Sequence, residues 1–396
     1  MLHIGEVTDT FLPIVDGVGR VVYEYANNLC LKGHEVTVIA PMYDTGYRGG
    51  YPFELVDFIS YKVPAIGEYQ TGEAKGDKHY RKRMKMIPLD IVHTHSPFTA
   101  GTEALRIAKK RNIPLVGTFH SKYYDDFLKI TKSESLASIG TKMVVDFYER
   151  CDDVWAVGSQ TADVLHEYGY KGYIHVVPNG VTRREVDEEA YKLVQARYEL
   201  NEVQNVFLFV GQLNWKKNIL RILEACALLK KQGCDFRLLL AGQGPDRDAI
   251  RRKITELGLE TDALLVGHIT DIKTLDALYA SATLFLFPSL YDNAPMVVRE
   301  AASMGTPSIL AEGSSASEII RDGENGWLCR DDSEHLRDVI LKATGDIDTL
   351  KAVSQRAKET IPIPWTDIID LVTDRYTELI LRAQRGDLKK KHTRIL

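Results

Sequence analysis

Residues 206–218 read Val-Phe-Leu-Phe-Val-Gly-Gln-Leu-Asn-Trp-Lys-Lys-Asn. An apolar run that ends at a glycine and continues into polar residues predicts a buried strand over 206–211, followed by a helix over 219–232. A strand that leads into a helix is the repeating unit of a parallel sheet, and the start of the helix is a ready anion site. The segment therefore predicts an α/β fold with a ligand site at the end of this strand.

The same alternation of strand and helix patterns continues in both directions and occurs as two series. We predict the longest helices over 19–32, 99–111 and 219–232, shorter ones over 246–257 and 296–304, and an amphipathic C-terminal helix over 367–383. The strands are predicted near residues 2–7, 35–40, 90–93, 115–119, 154–157, 175–177, 206–211, 236–241, 263–266, 284–287 and 307–310. Because ligands of open α/β sheets bind beyond the carboxyl ends of the strands, we expect two Rossmann-like domains that face each other across a cleft.

Turn signals place the domain boundaries. Pro178-Asn-Gly-Val181 ends the last strand of the first series, and the two prolines of Ile361-Pro-Ile-Pro-Trp365 separate the final helix from the second series. We predict an N-terminal domain over 1–180, a C-terminal domain over 181–364, and a helix with a basic tail over 365–396. This last segment is expected to cross back to the N-terminal domain.

Composition excludes several classes of protein. The 396 residues are 44% hydrophobic and 27% charged, which is ordinary for globular domains. With 50 Lys and Arg against 55 Asp and Glu, the net charge of −5 gives no reason to expect a nucleic-acid partner. The five scattered cysteines favour neither disulfides nor a zinc site. Without a signal-peptide pattern or an apolar run of about 18 residues, the chain is expected in the cytoplasm.

Three glycine-bearing junctions between strand and helix are candidate phosphate sites. They are Asp16-Gly-Val-Gly-Arg20, the segment with Lys216 and Lys217, and Gly242-Gln-Gly-Pro245. Tight turns and a solvated lysine pair are the alternative interpretations.

Residues 288–307 contain two acids, Asp292 and Glu300, after a predicted strand. If a helix begins near Met296, Asp292 precedes its N-terminus and Glu300 lies about one turn inside it. Both carboxylates could then accept hydrogen bonds from ligand hydroxyls. The alternative is that Asp292 caps the helix and Glu300 is a surface acid.

Taken together and in order, these motifs resemble the family-4 retaining glycosyltransferases of the two-Rossmann-domain (GT-B) type. The resemblance spans about residues 2–330. The segments that carry it are Gly17-Val-Gly19, Asp90-Ile-Val-His-Thr-His95, Gly117-Thr-Phe-His120, Val177-Pro-Asn-Gly-Val181, Lys217-Asn218, Gly242-Gln-Gly-Pro245 and Asp292 to Glu300.

The resemblance implies roles for individual positions. Glu300 is similar to the acid that binds the ribose, and Asp292 stands where the family usually has a glutamate that meets the donor sugar. Lys217 matches the lysine that binds the diphosphate, Gly19 a loop glycine near the donor phosphates, and His120 a histidine at the reacting sugar. Further residues implied at the donor are Gln212, Lys216, Gly244, His268, Asn293, Ala294, Met296 and Val297.

Several positions depart from the family pattern, among them Asp16 in place of a frequent glycine and Thr182 in place of a common aspartate. Gln212 stands where an arginine is usual, with Lys216 as its candidate replacement, and Pro295 lacks the N–H that a glycine would present.

The acceptor side is predicted in the N-terminal domain, where Asp9, Asp16, Gly17 and His95 are the candidate residues. His93 and His95 are two apart on a strand and so point to the same side. A metal pair could be built from them, but no acidic or cysteine partner has ligand spacing, and we predict no metal.

The implied function is transfer of a hexose from a nucleotide sugar, UDP-sugars being favoured, to a hydroxyl acceptor with retention at the anomeric carbon. No cofactor or metal is implied, because lysine and a helix N-terminus offset the charge of the leaving diphosphate. The setting would be synthesis of glycolipid or cell-envelope polysaccharide. The alternatives are a nucleotide-sugar epimerase or phosphorylase of the same fold, and a non-catalytic relative that binds a sugar nucleotide.

A membrane surface is a further candidate partner. Residues 78–87 hold five Lys or Arg, with Tyr80, Met84 and Ile87 at helical spacing, so a helix here could lie against anionic lipid. Family members with similar surroundings of Asp16 and His95 glycosylate diacylglycerol, which favours a lipid-linked acceptor and peripheral contact with the inner face of the plasma membrane. The alternative is a solvated helix whose apolar stripe packs on the sheet.

Overall fold

The computed structural model describes residues 1–12, 16–41, 49–62 and 70–388. The basic tail predicted over 389–396 lies outside them. The chain divides into two compact units, one formed by residues 1–179 and the segment from Trp365 onward, the other by residues 180–364. Each unit is built on its own parallel sheet, which confirms the predicted α/β class with two Rossmann-like halves.

The first unit has a seven-stranded parallel sheet in its described part, ordered β3-β2-β1-β6-β7-β8-β9, and a separate antiparallel hairpin, β4-β5. Its strands are β1 (His3–Val7), β2 (Glu35–Pro41), β3 (Glu54–Phe58), β4 (Ser60–Lys62), β5 (Gln70–Gly72), β6 (Ile91–Thr94), β7 (Leu115–Phe119), β8 (Asp153–Ala156) and β9 (His175–Val176). Its helices are α1 (Gly17–Leu31), α2 (Lys78–Met84), α3 (Thr99–Arg111), α4 (Tyr123–Thr131), α5 (Glu134–Tyr148) and α6 (Ser159–Glu167).

The second unit has a six-stranded parallel sheet ordered β12-β11-β10-β13-β14-β15. Its strands are β10 (Asn205–Val210), β11 (Phe236–Ala241), β12 (Ala263–Gly267), β13 (Leu284–Phe287), β14 (Ser308–Ala311) and β15 (Trp327–Cys329). Its helices are α7 (Glu188–Arg197), α8 (Ile219–Lys231), α9 (Arg247–Glu256), α10 (Ile272–Ser281), α11 (Met296–Ser303), α12 (Ser333–Thr344) and α13 (Ile347–Thr360).

The last helix, α14 (Trp365–Arg385), returns to the first unit. Its buried side chains recur at helical spacing, and Trp365 and Tyr376 pack against Tyr25 and Trp155. Arg375 forms two hydrogen bonds of 2.8 and 2.9 Å with the carboxylate of Asp153. The final helix is therefore part of the core of the unit that the chain builds first.

Strand order fixes where a ligand can bind in each unit. The direction of winding reverses between β1 and β6 in the first sheet and between β10 and β13 in the second. At such a point the loops leave the sheet on opposite sides and open a crevice at the carboxyl ends of the strands. Segments 8–12 and 95–98 lie at the first crevice, and segments 211–218 and 288–295 at the second.

Candidate active site

An ion pair occupies the crevice of the second unit. Lys217 follows β10 and Asp292 follows β13, and Lys217 Nζ lies 2.5 Å from Asp292 Oδ1. The Ser289 hydroxyl donates to the other carboxylate oxygen, Oδ2, at 2.5 Å. Both charged side chains keep less than a fifth of their surface exposed. A lysine and an acid are thus held together at this crevice, with little of either side chain exposed.

The lysine pair shares an aromatic neighbour. Nζ of Lys216 lies 4.4 Å and Nζ of Lys217 5.5 Å from the centre of the Tyr291 ring. Both ammonium groups are attracted to the ring face, which draws the loops after β10 and β13 together. Lys216 and Gln212 are exposed, while Lys217 is half-buried.

Glu300 lies in the middle of α11 and is buried, with 3% of its surface exposed. The hydroxyl of Tyr279, on α10, donates to Glu300 Oε2 at 3.0 Å. The surface-acid alternative is therefore wrong. The capping alternative for Asp292 is also wrong, because Pro295 is the N-cap residue and Asp292 is bonded to Lys217.

The N-terminal end of α11 carries the other residues that the family resemblance assigns to the donor. Asn293 and Ala294 lead into the helix, Met296 is its first residue, and Val297 follows. His268 lies elsewhere, exposed beyond the end of β12 at the outer edge of the sheet.

The glycines of segment 242–245 allow two loops to approach each other closely, because a side chain there would collide with the neighbouring backbone. A Cβ on Gly242, whose φ is +143°, would lie 1.9 Å from the carbonyl oxygen of Gly211. A Cβ on Gly244 would lie 2.4 Å from the carbonyl oxygen of Leu213, and the Leu213 amide donates to the carbonyl of Gln243 at 3.0 Å. These glycines thus fix the loop that carries Lys216 and Lys217.

In the first unit, Asp16 and Asp9 each accept a hydrogen bond from a backbone amide at the start of a helix. Asp16 caps α1 by accepting from the Gly19 amide at 2.8 Å, and Gly17 opens that helix. Oδ1 of Asp9 accepts from the Ala100 amide at 2.8 Å, at the start of α3. The other oxygen, Oδ2, is buried and accepts no hydrogen bond from the described residues. Both acids thus have a structural role at a helix start, and their role at the acceptor stays a prediction.

A chain of buried hydrogen bonds begins at His120. Its Nε2 lies 3.0 Å from His95 Nδ1, and His95 Nε2 lies 2.9 Å from Glu6 Oε2. The Tyr376 hydroxyl donates to Glu6 Oε1 at 3.0 Å and lies 2.5 Å from His93 Nδ1. His93 Nε2 in turn lies 2.6 Å from the Thr118 hydroxyl. Strand ends and α14 thus join three histidines to one carboxyl.

Burial sets the protonation of this chain. Burial raises the pKa of Glu6 to about 8, although the hydrogen bond from Tyr376 lowers that pKa by a smaller amount. It lowers the pKa of His95 to about 3 and the pKa values of His93 and His120 well below the ordinary range. The imidazoles are therefore neutral at physiological pH, and Glu6 is the group that titrates near it.

Glu6, His93 and His95 bring their ligand-type atoms within 4.8 Å of one another. The expected lack of an acidic partner for the two histidines is thus wrong, because Glu6 comes from the neighbouring strand, β1. The ring nitrogens and carboxyl oxygens of this group are engaged in the hydrogen bonds just described. A metal would have to displace those bonds.

Sequence reasoning missed Glu6, Tyr376, Ser289 and Tyr279. A signal existed for Glu6 alone, since a charged residue within an apolar run predicted as a strand is expensive to bury without a role. The other three are ordinary members of a strand end or an amphipathic helix.

The predicted basic helix is α2, and it is short. Tyr80 and Met84 are buried, and the Tyr80 hydroxyl donates to Glu103 at 2.6 Å, so its apolar stripe packs on the protein. Its basic residues face a groove of about 520 Å³ shared with α3. The groove is lined by Lys78, Arg81, Lys82, Met84, Lys85, Arg106, Ile107, Lys110 and Arg111. Among the described residues, the helices are too short or too polar to cross a membrane.

Two family models match the chain. The model described as Glycosyltransferase Family 4 matches residues 15–185, and the one described as Glycosyl transferases group 1 matches residues 192–360. Together they include the crevice of the second unit and segment 95–98 of the first crevice.

Relatives and solved structures agree with these models. An alpha-monoglucosyldiacylglycerol synthase from Streptococcus pneumoniae is 24% identical, over 83% of this chain and 75% of its own. A GDP-mannose-dependent alpha-mannosyltransferase from Corynebacterium glutamicum is 24% identical, over 83% and 76%. The structure of Anabaena HepE in complex with UDP and glucose superposes with a TM-score of 0.76 at 16% identity, covering 95% of this chain and 100% of its own.

Proposed function

The chain belongs to the family-4 glycosyltransferases, and from that premise we propose that it transfers a hexose from a UDP-sugar to the hydroxyl of a lipid acceptor with retention at the anomeric carbon. The observation that carries the proposal is the ion pair of Lys217 and Asp292 beside buried Glu300, at the switch point of the second sheet. The donor is assigned to the second unit and the acceptor to the first.

The charges of the crevice suit a nucleotide sugar. A diphosphate that approaches the starts of α8 and α11 would take Lys217 as its counterion, which releases Asp292 for a sugar hydroxyl. Ser289 holds Asp292 in place during this exchange. Glu300, oriented by Tyr279, is the proposed partner of the ribose hydroxyls.

Retention fits the way Asp292 is held. Its two oxygens are bonded to Lys217 and Ser289, which suits a hydrogen-bonding role more than attack on the anomeric carbon. We propose that the acceptor attacks from the face that the diphosphate leaves. Lys217 and the helix start of α11 would stabilise the leaving charge without a metal. Activity that survives excess EDTA unchanged would agree with this; its loss would contradict it.

The donor site is tested by thermal unfolding against UDP-, GDP- and ADP-sugars, because a ligand that binds only the folded state raises Tm. We expect UDP-glucose to raise Tm, Glu300→Gln to abolish the rise, and Glu256→Gln, an exposed acid on α9, to keep it. A rise in Tm with GDP-mannose alone would assign GDP-mannose as the donor in place of a UDP-sugar. Binding without any product from a diacylglycerol acceptor would favour the non-catalytic alternative, and an inverted product would exclude retention.

The lipid acceptor is proposed from two observations. The synthase from Streptococcus pneumoniae is a diacylglycerol enzyme by name, and the groove between α2 and α3 collects Lys and Arg side chains on the proposed acceptor unit. Since the apolar stripe of α2 is buried, the contact with lipid would be electrostatic. The proposed place of action is the anionic, cytoplasmic face of the plasma membrane.

Vesicle sedimentation tests this contact. We expect binding to vesicles with 30% phosphatidylglycerol, weakening at high salt. Lys82→Glu/Lys85→Glu should bind at least about 30-fold more weakly, because two lysines are lost at roughly 1 kcal/mol each. Lys351→Glu/Lys358→Glu on α13 is the matched control with the same change in net charge. Equal binding to neutral and anionic vesicles would refute the proposal.

A further inference from the structure

The outer face of α5 carries apolar side chains where a surface helix ordinarily carries polar ones. Leu136, Ile139 and Met143 are spaced by three and four residues, so they lie on one face of the helix. Their relative exposures are 52%, 53% and 67%. The opposite face packs into the first unit through buried residues such as Val144 and Tyr148. Helix α5 is therefore apolar on both faces, and the described residues cover only one of them.

Helix α4 packs beside α5 without a buried residue of its own. A Cβ on Gly140 of α5 would lie 2.6 Å from the ring of Phe127, so the two helices are in close contact there. Because a short connection joins them into an antiparallel helical hairpin, Ile130 of α4 lies alongside the N-terminal half of α5. Its exposure of 44% adds a fourth apolar side chain to this surface. We call Ile130, Leu136, Ile139 and Met143 the apolar tip of the hairpin.

Three lysines accompany the apolar tip. Lys129, Lys132 and Lys142 are exposed, and within the described ranges none of them forms an ion pair. Lys132 ends α4 with a φ of +52°, in the left-handed region that glycine or asparagine usually occupies at this position. With Glu134 as the only acid among residues 128–143, the three lysines leave this segment with a net charge of +2.

This combination fits the interface of an anionic bilayer. An amphipathic helix lies in that interface with its apolar side chains below the headgroups and its basic side chains near the lipid phosphates. The long stems of lysines let their ammonium groups reach the phosphates while the neighbouring apolar residues leave water. A nucleic acid would offer phosphates to the lysines but no apolar region for the tip.

A second copy of the chain fits this surface less well. Four half-exposed side chains present on the order of 400 Å² together, whereas a stable interface buries about 800 Å² per partner. In a two-fold dimer the same patch would meet itself, so its lysines would face one another. Both the area and the charge therefore favour a lipid surface.

The hairpin is also joined to the first crevice by aromatic contacts. Phe98 ends segment 95–98 of that crevice and is 42% exposed. Its ring centre lies 5.2 Å from that of Tyr123, the first residue of α4, and 6.2 Å from that of Phe127. Apolar surface thus continues from the hairpin to the strand end where the acceptor is proposed to bind.

We propose that the α4–α5 hairpin inserts its apolar tip into the headgroup region of an anionic bilayer, where its three lysines bind lipid phosphates. The insertion does not depend on the identity of the reaction. Its consequence, that a lipid acceptor enters the first crevice from the membrane along this hairpin, rests on the proposed function. The groove between α2 and α3 adds an attraction that salt screens, whereas burial of the apolar tip persists at high salt.

Vesicle sedimentation at about 0.5 M NaCl separates the insertion from the basic groove. We expect the full-length wild type to retain weakened binding to phosphatidylcholine vesicles with 30% phosphatidylglycerol. Leu136→Ser/Ile139→Ser/Met143→Ser should bind at least about tenfold more weakly, because three apolar side chains no longer leave water. Lys82→Glu/Lys85→Glu should stay within about threefold of the wild type at this salt concentration, because its charges are screened.

Leu193→Ser/Ile347→Ser/Leu371→Ser is the matched control, since it removes apolar side chains of 64%, 58% and 49% exposure from other helices. It should bind as the wild type does, and both triple variants should keep the wild-type Tm, because the substitutions are at the surface. Equal binding of the two triple variants, or no binding of the wild type at high salt, would overturn the proposal. A wild-type dimer without vesicles that only the tip variant dissociates in analytical ultracentrifugation would assign the surface to a second copy instead, and would overturn it too.

Turnover separates the insertion from the proposed function. With diacylglycerol in vesicles, we expect the tip variant to lose at least about tenfold in kcat/KM, and with a short-chain diacylglycerol in detergent we expect the wild-type value. Equal turnover of the tip variant and the control in vesicles would refute entry of the acceptor along the hairpin. Vesicle binding that depends on the tip, without transfer from any donor, would leave the insertion standing and refute the proposed function.

Discussion

The ion pair between Lys217 and Asp292 shows how single residues prepare the candidate donor site. Each group neutralises the other at 2.5 Å while less than a fifth of either is exposed. A buried charge left alone is costly, so the pair keeps both residues in place until a ligand supplies new partners. The buried chain from His120 to Glu6 is held by hydrogen bonds between neutral imidazoles and a carboxyl group instead.

Lys217→Ala is predicted to lower kcat/KM for the proposed transfer by at least about 100-fold, because a preorganised charge at the leaving group is lost. Lys216→Ala, which removes an exposed neighbour, should cost less than about fivefold. Steady-state kinetics with the donor found by thermal unfolding provide the measurement. Equal losses in the two variants would mean that Lys217 has no special role.

The titration of Glu6 also predicts how stability depends on pH. Burial raises its pKa from 4.5 to about 8, so the folded chain holds a proton that the unfolded chain releases above pH 4.5. This stabilisation is complete below about pH 4.5 and is lost as pH rises to about 8. His95, whose pKa falls from 6.5 to about 3, acts in the opposite sense, and stability is lost as pH falls from 6.5 to 3.

Between pH 6.5 and 8, Glu6 is therefore the member of this pair that changes. We predict that the free energy of unfolding of the wild type falls by about 2 kcal/mol relative to Glu6→Gln across this interval, at about 1.4 kcal/mol per pH unit. Urea unfolding followed by circular dichroism measures the difference. Parallel pH profiles for the two proteins would show that Glu6 does not titrate there.

At the scale of elements, loops rather than helices decide the shape of the crevice in the second unit. The loop after β10 lies against the loop after β11 because Gly242 and Gly244 have no Cβ. The amide of Trp215 donates to Asp246 at 2.9 Å, which ties the lysine segment to the start of α9. The position of Lys217 thus depends on residues about 30 positions away in sequence.

Gly242→Ala is predicted to destabilise the second unit by more than about 2 kcal/mol, since the new Cβ would collide with a backbone oxygen. Gly258→Ala is the matched control, because Gly258 also has a positive φ, of +67°, but open space around it. It should cost only about 1 kcal/mol. Thermal unfolding compares them, and equal losses would leave the positive φ as the whole effect.

For the whole molecule, the return of α14 couples the end of the chain to its beginning. Tyr376 meets Glu6 across 370 positions of sequence, and Arg375 meets Asp153 across 222. The first unit therefore completes both its core and the buried hydrogen bonds of Glu6 only when the last helix is in place.

Truncation after Pro364 is predicted to unfold the first unit. Six side chains of α14 are buried. Burial of each contributes about 1.5–3 kcal/mol, so their joint loss is comparable to the roughly 5–15 kcal/mol that stabilises a typical domain. Truncation after Leu388 retains the described contacts of α14 and is the control. Limited proteolysis with mass spectrometry should show rapid cleavage within residues 1–179 for the shorter chain only. Equal protection of both chains would contradict this role of α14.

The sequence by itself predicted eleven of the thirteen parallel strands to within one residue at each end, and the main helices it specified to within two. Those elements can be predicted locally, because an apolar run or a helical period depends only on residues that are close together in the sequence. The prediction missed β3, the β4-β5 hairpin and β15, which lie at sheet edges or outside the main sheets. The resemblance to the family-4 glycosyltransferases was also recognisable from the sequence, because it rests on the order of short motifs along the chain.

Only the tertiary structure decided which polar groups are partners. Glu6, His95, His120 and Tyr376 come from three strand ends and a distant helix, and no spacing in the sequence relates them. The burial of Glu300 beneath Tyr279 and the pairing of Asp292 with Lys217 follow from strand order in the same way. Periodicity fixes which face of an element is apolar, whereas the contacts that shift a pKa or pair a charge depend on which elements the fold places side by side.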